Sequence, residues 1–549
     1  MGFAIEEMVW QFRHLVARHN QMPEVEKKGE SRVLRFLRGR KSRLLTLTIV
    51  AIMMVTLVGA GCGKSSKDTG VLKIAQTYDM KGLDPINLPS VTESQIAGNI
   101  YDGLLQFEYG GTKLQPALAT EWTISPDGKT YTFKLRKGVQ FHKDYGEMTS
   151  ADVKFSLDRV RDKKISQAAS NFASIDSIDT PDASTVVLKL NRTDPALLTA
   201  LAAPTGGIVS KKAVEKLGKD YSINPVGTGP FAFEAWKANT ETDLVANKKY
   251  WGSAPKIQKL VFVPIPEPTT MYMAFEKGEV DVIQVTDGEH YKKYKGDAKF
   301  QVSEIAGLIT RMIGFNQQIK PFDNPKVRQA VVMGFNRDKV INEMFGNIST
   351  KAKGFLAPSV PGYEPNQEDP PYDPVKAKQL LTEAGFPDGF KTVMEVPNID
   401  RFTVPATVFQ EDMRKLGITI EYKPIDTATA LANQRKGSVP IWSVSWNQDP
   451  VPDRVMMRFH SSQYPGNNGF GYKNPAVDKL IDEALASSDD KVRSADFSKI
   501  QQQIAKDYVG IWLDNEKYIF ALSKKVKGFP ADPRRSLRMF PVSIDPNAK

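Results

Sequence analysis

One stretch carries the strongest fold information in this chain, Asp127-Gly-Lys-Thr-Tyr-Thr-Phe-Lys-Leu-Arg-Lys-Gly-Val-Gln-Phe141. Apolar Tyr131, Phe133 and Leu135 alternate with polar residues, which is the period of a strand with one buried face. Residues 118–125 form a second strand-like run, and the turn sequence Pro126-Asp-Gly128 separates the two. The pattern predicts a β-hairpin over residues 118–141 whose one face is buried.

Helices are predicted outward from this hairpin by their capping sequences. Thr149-Ser-Ala-Asp152 offers a capping hydroxyl with a carboxylate three residues later. Three more helices place Asn or Asp before a proline at the first helical position, and these are Asn324-Pro325, Asp373-Pro374 and Asn474-Pro475. The second of them is expected to end at Gly385, and a fifth helix is predicted at residues 494–508. Strands and helices are thus mixed, which favours an α/β fold.

The N-terminal region has the composition of a secretory signal. A basic cluster at residues 38–43 precedes an uncharged apolar run at residues 44–60, which Gly61-Cys62 closes. A retained membrane helix is the alternative interpretation of the run, because its length is near the lower limit for spanning a bilayer. Residues 1–30 are long for the start of a signal, which suggests an upstream start codon or, alternatively, an amphipathic anchor.

The cysteine that closes this run is the only one among the 549 residues. Gly59-Ala-Gly-Cys62 resembles a bacterial lipobox, which implies that Cys62 carries lipid after cleavage of residues 1–61. Two or more acyl chains give stable anchoring, whereas one chain gives only marginal binding. Residues 62–70 are then a linker to the folded body, and the protein is expected outside the cytoplasm, on the periplasmic face or the cell surface.

Composition excludes several kinds of chemistry. Residues 1–43 carry ten Lys and Arg against five Asp and Glu, and so supply +5 of the formal net charge of +11. No basic run with interleaved aromatics follows, so no nucleic-acid partner is expected. After Cys62 there is no thiol, the only histidines are the widely separated His142, His290 and His460, and no G-x-S-x-G sequence occurs. We therefore expect no enzyme activity, no metal site and no cofactor.

The body is too long for one hydrophobic core, since single cores stop growing near about 250–300 residues. A series of motifs follows in order along the chain, among them Leu114-Gln-Pro-Ala-Leu-Ala-Thr-Glu-Trp122, residues 127–141, Thr149-Ser-Ala-Asp-Val-Lys-Phe-Ser-Leu-Asp-Arg159, Gly227-Thr-Gly-Pro-Phe231, Asn247-Lys-Lys-Tyr-Trp251 and Gly278-Glu-Val-Asp281. These motifs resemble those of the family 5 solute-binding proteins, the peptide, nickel and related receptors of ABC importers. The resemblance covers nearly all of residues 71–530.

The resemblance implies a two-lobed binding-protein fold of type II, in the large three-subdomain form, with a hinge and an interlobe cleft. Lobe I would comprise residues 71–110, 211–308 and 515–549, with an inserted subdomain at residues 111–210, and lobe II residues 309–514. The chain would cross between lobes near residues 307–315 and 512–518. Gly307 and Leu308 are the hinge candidates, although Gly307 also suits an ordinary turn.

The resemblance also implies site residues. In peptide-binding members an Asp three residues after a Trp holds the ligand's amino group, and here that pattern is Trp446-Asn-Gln-Asp449. Asp453 is a competing candidate. Arg401 is the nearest match to an arginine that binds the ligand's carboxylate in some members. Trp442 and Trp446 flank the same strand, and one is expected to face the cleft and the other the core.

Three classes of function remain open at this point. The first is a monomeric transport receptor that captures peptides and delivers them to the permease subunits of an ABC importer. The second is a receptor of the same fold for another solute, such as nickel or an oligosaccharide. The third is a surface hydrolase, which the absent catalytic motifs disfavour.

Overall fold

The computed structural model describes residues 70–487 and 489–548. The predicted leader, Cys62 and the linker as far as residue 69 lie outside the described residues. Within that part of the chain, no helix is both long enough and apolar enough to cross a bilayer.

The described chain alternates strands and helices, which confirms the predicted α/β class. The strands are β1 Val71–Gln76, β2 Leu105–Phe107, β3 Leu114–Pro116, β4 Ala119–Ile124, β5 Thr130–Leu135, β6 Ile175–Asp182, β7 Thr185–Leu190, β8 Phe231–Lys237, β9 Glu241–Ala246, β10 Lys259–Pro264, β11 Val282–Gln284, β12 Phe300–Phe315, β13 Ser349–Lys351, β14 Lys391–Pro397, β15 Thr419–Ile425, β16 Ile441–Asn447, β17 Gly510–Ser523, β18 Val526–Lys527 and β19 Ser543–Ile544.

The α-helices lie between these strands, together with several short 3-10 turns. They are α1 Val91–Ile100, α2 Ser150–Arg161, α3 Leu197–Ala202, α4 Lys211–Leu217, α5 Pro268–Glu276, α6 Gly288–Gly296, α7 Pro325–Met333, α8 Arg337–Lys339, α9 Pro374–Glu383, α10 Asp400–Lys415, α11 Thr427–Lys436, α12 Asp453–Met456, α13 Pro475–Ala486 and α14 Asp490–Lys506.

The predicted hairpin is confirmed. Strands β4 and β5 pair antiparallel, and Tyr131, Phe133 and Leu135 are buried as their alternation indicates. With β7 and β6 they form a four-stranded sheet in the order β4-β5-β7-β6. The side chains of this sheet belong to the same hydrophobic cluster as those of β1, so the hairpin is part of a larger core.

The predicted helix starts are confirmed as well. The backbone N–H of Thr149 donates to Asp152 at 3.1 Å, which is the capping-box bond that begins α2. Asn324, Asp373 and Asn474 each cap the helix that begins at the following proline, by accepting from the backbone N–H of Lys326, Lys376 and Ala476 respectively. Helix α14 begins at Asp490, four residues before its predicted start, because Asp489 accepts from the backbone N–H groups of residues 491 and 492.

An eleven-stranded mixed sheet joins the two halves of the body. Its order is β15-β14-β16-β12-β17-β11-β1-β10-β9-β8, with β13 paired to β17 off this path. Strands β12 and β17 are 16 and 14 residues long and lie at its centre. The chain passes between the halves along this antiparallel pair.

The buried hydrophobic side chains divide at the middle of β12 and β17. Two clusters use residues 72–294 and 518–542, and two use residues 308–513. Below, lobe I means residues 70–306 and 516–548, and lobe II means residues 308–515. The bounds given for the lobes and for the inserted subdomain in the sequence analysis stay predictions.

The β12–β17 pairing is irregular where it passes between these lobes. Ala306 pairs with Lys517 and Thr310 with Asn515, so three residues of β12 face a single residue of β17. Gly307 lies in this bulge, and a Cβ there would sit 2.6 Å from the ring of Tyr518. Glycine is needed at position 307 for close approach of that ring, and Gly307 is part of a strand, not of a turn. Its role as a hinge stays a prediction.

Candidate ligand-binding cleft

A cavity of about 530 Å³ lies between the two lobes. Lobe I contributes residues 88–98 with most of α1, residues 101–107 with strand β2, residues 196–207 and the segment 534–538. Lobe II contributes Leu308, Ile309, residues 447–450 at the end of β16, and Arg454. The size falls in the range of small-molecule sites, roughly 300–1,000 Å³, and the position between lobes is a preferred one.

Asp449 lies in the lobe II wall of this cavity, two residues after β16 ends. Its carboxylate is half exposed and faces Arg454, whose Nη1 lies 3.4 Å from Oδ2. The same Nη1 lies 3.3 Å from Oδ1 of Asn171, which belongs to lobe I. Arg454 thus links Asp449 to the opposite wall through long, weak contacts.

Asp453, the competing carboxylate, is occupied elsewhere. It is buried, and both of its oxygens accept from Nη2 of Arg493, at 2.7 and 2.8 Å. Asp453 does not line the cavity. Of the two candidate carboxylates, the structure brings Asp449 to the cavity and uses Asp453 to join α12 to α14.

Both candidate tryptophans lie in the core of lobe II. Trp442 and Trp446 are 1% and 4% exposed, and Nε1 of Trp442 donates to the carbonyl of Gly469 at 3.1 Å. The expectation that one faces the cleft and the other the core is wrong for this structure. Residues four apart in a strand point to the same face, so β16 directs both indoles into one cluster. Direct ligand contact by either indole stays a prediction.

Arg401 lies apart from the cavity. It is exposed in the first turn of α10, and its guanidinium lies 5.3 Å from the centre of the neighbouring Phe402 ring. It is not among the residues that line the cavity. Its role toward a ligand carboxylate stays a prediction.

The lobe I wall contains three arginines that the sequence analysis did not select. Arg534, Arg535 and Arg538 all line the cavity. Arg534 pairs with Asp532, and burial lowers the pKa of the Arg534 guanidinium while it raises the pKa of the Asp532 carboxyl. Three arginines within five residues are visible in the sequence, but their position opposite lobe II is not.

Asp102 anchors this arginine segment from the other side. Its buried carboxylate accepts from Nη2 of Arg538 at 3.0 Å, Nε1 of Trp251 at 2.8 Å and Oγ1 of Thr228 at 3.1 Å. Trp251 and Thr228 belong to two of the motifs that carried the resemblance. Their contribution is structural, because they hold Asp102 in place in the cavity wall.

The histidines lie far from one another and make other contacts. Nε2 of buried His142 donates to the carbonyl of Gly229 at 2.9 Å, and burial lowers the pKa of His142 to about 4. His290 stacks on Tyr272 with ring centres 3.7 Å apart. Among the described residues, no three His, Cys, Asp or Glu side chains come close enough to hold a metal ion.

A mixed sheet shared by two lobes with a cavity between them defines a binding protein of the periplasmic type, and comparisons with known proteins agree. The sequence model of the bacterial extracellular solute-binding proteins, family 5 Middle, matches residues 113–468. This chain therefore belongs to family 5 of the bacterial extracellular solute-binding proteins, and the predicted two-lobed fold is confirmed.

Three similar proteins illustrate the family. Heme-binding protein A of Haemophilus influenzae is 30% identical over 91% of this chain and 99% of its own length. Glutathione-binding protein GsiB of Shigella dysenteriae is 29% identical over 88% of this chain and 95% of its own length. The periplasmic binding protein DppA of Helicobacter pylori, solved with peptide STSA, is 32% identical over 87% of this chain and 98% of that chain, with a TM-score of 0.70. These relatives are binding proteins, not enzymes.

Proposed function

We propose that this protein is a lipid-anchored receptor that captures peptides between its lobes and delivers them to the permease subunits of an ABC importer. Cys62 carries the lipid, residues 62–70 tether the body outside the cytoplasmic membrane, and the receptor acts as a monomer.

The position of Asp449 is the observation that carries the peptide assignment. Among the described residues, this half-exposed carboxylate in the cavity wall is held only by a 3.4 Å contact to Arg454, and it can exchange that partner for a ligand ammonium. An ammonium is present on every peptide with a free amino end, so a contact to it does not depend on side chains. Lobe closure would expel water and strengthen this pair.

Two of the three relatives support a peptide or peptide-like ligand, and the third adds heme to the comparisons to make. One relative is solved with peptide STSA, one is named for glutathione and one for heme. A thermal-shift panel of di-, tri- and penta-alanine, glutathione, heme, nickel and an oligosaccharide separates these ligand classes. A ligand at 100 times its Kd stabilises the folded protein by about 2.7 kcal/mol. Stabilisation by heme, nickel or the oligosaccharide alone would contradict the proposal.

Asp449→Asn is the direct test, because it keeps the size of the side chain and removes its charge. Since the carboxylate is half exposed, we expect the loss typical of a hydrogen bond between charged groups, about 1.5–3 kcal/mol, and not the larger cost of a fully buried pair. That is about a ten- to hundredfold weaker affinity for trialanine in calorimetry.

The control variant is Asp388→Asn, at an exposed position away from the cavity, which should bind as the parent does. The control ligand is amino-acetylated trialanine, which should bind the parent protein poorly. Its affinity should fall little further in the Asp449→Asn variant. Parental affinity of Asp449→Asn for trialanine would show that Asp449 does not hold the ammonium.

A further inference from the structure

We propose that Arg535, in the lobe I wall of the cavity, binds a carboxylate of the ligand, so that the preferred ligand is a peptide with a free carboxyl end. This inference rests on the proposed function and adds the second charged contact to it. The ammonium would then be held by lobe II through Asp449 and the carboxylate by lobe I through Arg535. One ligand would bridge the two lobes by its two ends.

The charge balance of the cavity singles out Arg535 among the three arginines of segment 534–538. Arg534 is paired with Asp532, and Arg538 with Asp102. The guanidinium of Arg535 makes one side-chain hydrogen bond among the described residues, from Nη2 to the neutral amide oxygen of Gln284 at 2.7 Å. Of the three arginines, Arg535 is therefore the one whose charge is not balanced by a bonded carboxylate among the described residues.

The donors of Arg535 are also incompletely used. A guanidinium has five N–H donors. Among the described residues, Arg535 uses only Nη2, on Gln284, and its buried Nε has no partner, as is also true of Nε of Arg534 and of Arg538. A carboxylate is the group whose two oxygens match a guanidinium edge, through two parallel N–H···O bonds.

The backbone at Arg535 is held in an unusual conformation. Its φ is +59°, in the left-handed region that residues other than glycine seldom adopt. The backbone N–H of Arg535 donates to the carbonyl of Asp532 at 3.0 Å, and its carbonyl accepts from Nε2 of Gln95 at 2.8 Å. Such conformations persist where the surroundings enforce them, and they concentrate at ligand sites. Here the two backbone hydrogen bonds hold Arg535 in the wall of the cavity.

Arg535 also touches the crossing between the lobes. Its guanidinium lies 4.9 Å from the centre of the Tyr518 ring, and that ring is the group that packs against Gly307 in the bulge of β12. Tyr518 itself lines the cavity. A carboxylate bound by Arg535 would therefore lie beside the strand pair about which the lobes would move.

Calorimetry with trialanine and trialanine amide on the full-length protein tests this inference. The parent should bind the acid about 10- to 100-fold more tightly than the amide, the range of a hydrogen bond between charged groups. Arg535→Gln should weaken the binding of trialanine by a similar factor. It should also remove the difference in affinity between trialanine and trialanine amide. Arg535→Lys keeps the charge and should retain part of the preference.

Two further variants make the comparison specific. Arg414→Gln, at an exposed position on α10, is the matched control and should keep the parental preference. Arg401→Gln tests the alternative residue directly, and loss of the acid preference there instead would overturn the assignment to Arg535. Thermal unfolding of each variant without ligand shows whether folding is preserved.

The possible failures differ from one another. If the parent binds trialanine and its amide equally, or if Arg535→Gln keeps the preference for the acid, this inference is wrong while the peptide receptor stands. If no peptide of the panel binds the parent, the proposed function fails and the inference with it.

Discussion

Replacing Gly307 by alanine is expected to destabilise the protein by about 1–3 kcal/mol, the usual cost of overpacking a core. The added Cβ would lie 2.6 Å from Cζ of Tyr518 and 2.7 and 3.0 Å from its two Cε atoms. Carbon atoms in favourable contact are about 3.5–4.0 Å apart, so one group must move by roughly an ångström. Tyr518 is 3% exposed and packs in the lobe I cluster, so a shift of its ring would disturb those contacts.

Urea unfolding followed by circular dichroism measures this cost as a lower transition midpoint. The matched control is Gly296→Ala at the end of α6, where a Cβ would meet nothing within 4 Å. That change should leave the midpoint equal or slightly raised, because alanine favours helix over glycine.

A double variant isolates the contact itself. Tyr518→Leu removes the ring atoms that the new Cβ would meet, so Gly307→Ala should cost much less in that background than in the parent. Equal costs in both backgrounds, or a parental midpoint for the single Gly307→Ala variant, would refute the assignment of glycine at this position to ring contact.

Three other predictions concern the anchor, the hinge and one buried histidine. Cys62→Ala should move the protein out of the membrane fraction on cell fractionation, whereas firm membrane association would indicate a retained apolar helix instead of a lipid anchor. Saturating peptide should compact the particle in small-angle scattering, and an unchanged curve with a tight ligand would contradict a closing clamp. His142 stays neutral in the folded state because burial lowers its pKa to about 4, against about 6.5 when unfolded. The unfolded chain then binds more protons between these values, so stability is complete above about pH 6.5 and falls by about 2 kcal/mol from pH 7 to pH 5. The urea midpoint of His142→Gln should lack that part of the pH dependence, and an equal slope would contradict this cause.

The elements that sequence predicted well are those whose cause is local. The hairpin at residues 118–141 follows from the alternation of Tyr131, Phe133 and Leu135, and the helix starts follow from side chains that bond backbone groups two or three residues away. The early start of α14 has a local cause too, because Asp489 caps the helix. A capping aspartate is a signal that the sequence itself contains.

The candidate site was predicted only in part, for a reason of geometry. Asp449 is predicted from a motif, and the structure brings it to the cavity, while its contact with a ligand stays a prediction. The orientation of Trp442 and Trp446 was misjudged, although the period of a strand already places both on one face. The position of Arg401 outside the cavity depends on how α10 packs on its sheet, which no short sequence pattern specifies.

The amino-acid sequence by itself determined the family, the mixed α/β class and the places where helices begin, since these depend on motifs and on contacts within a few residues. Only the tertiary structure decided which distant side chains share the cavity. Asp102 and Arg538 are 436 positions apart, yet they bond at 3.0 Å. Arg535 likewise reaches Gln284 across 251 positions. Such proximities result from the packing of whole strands and clusters, in which each residue contributes a small part, so they cannot be read from any single segment.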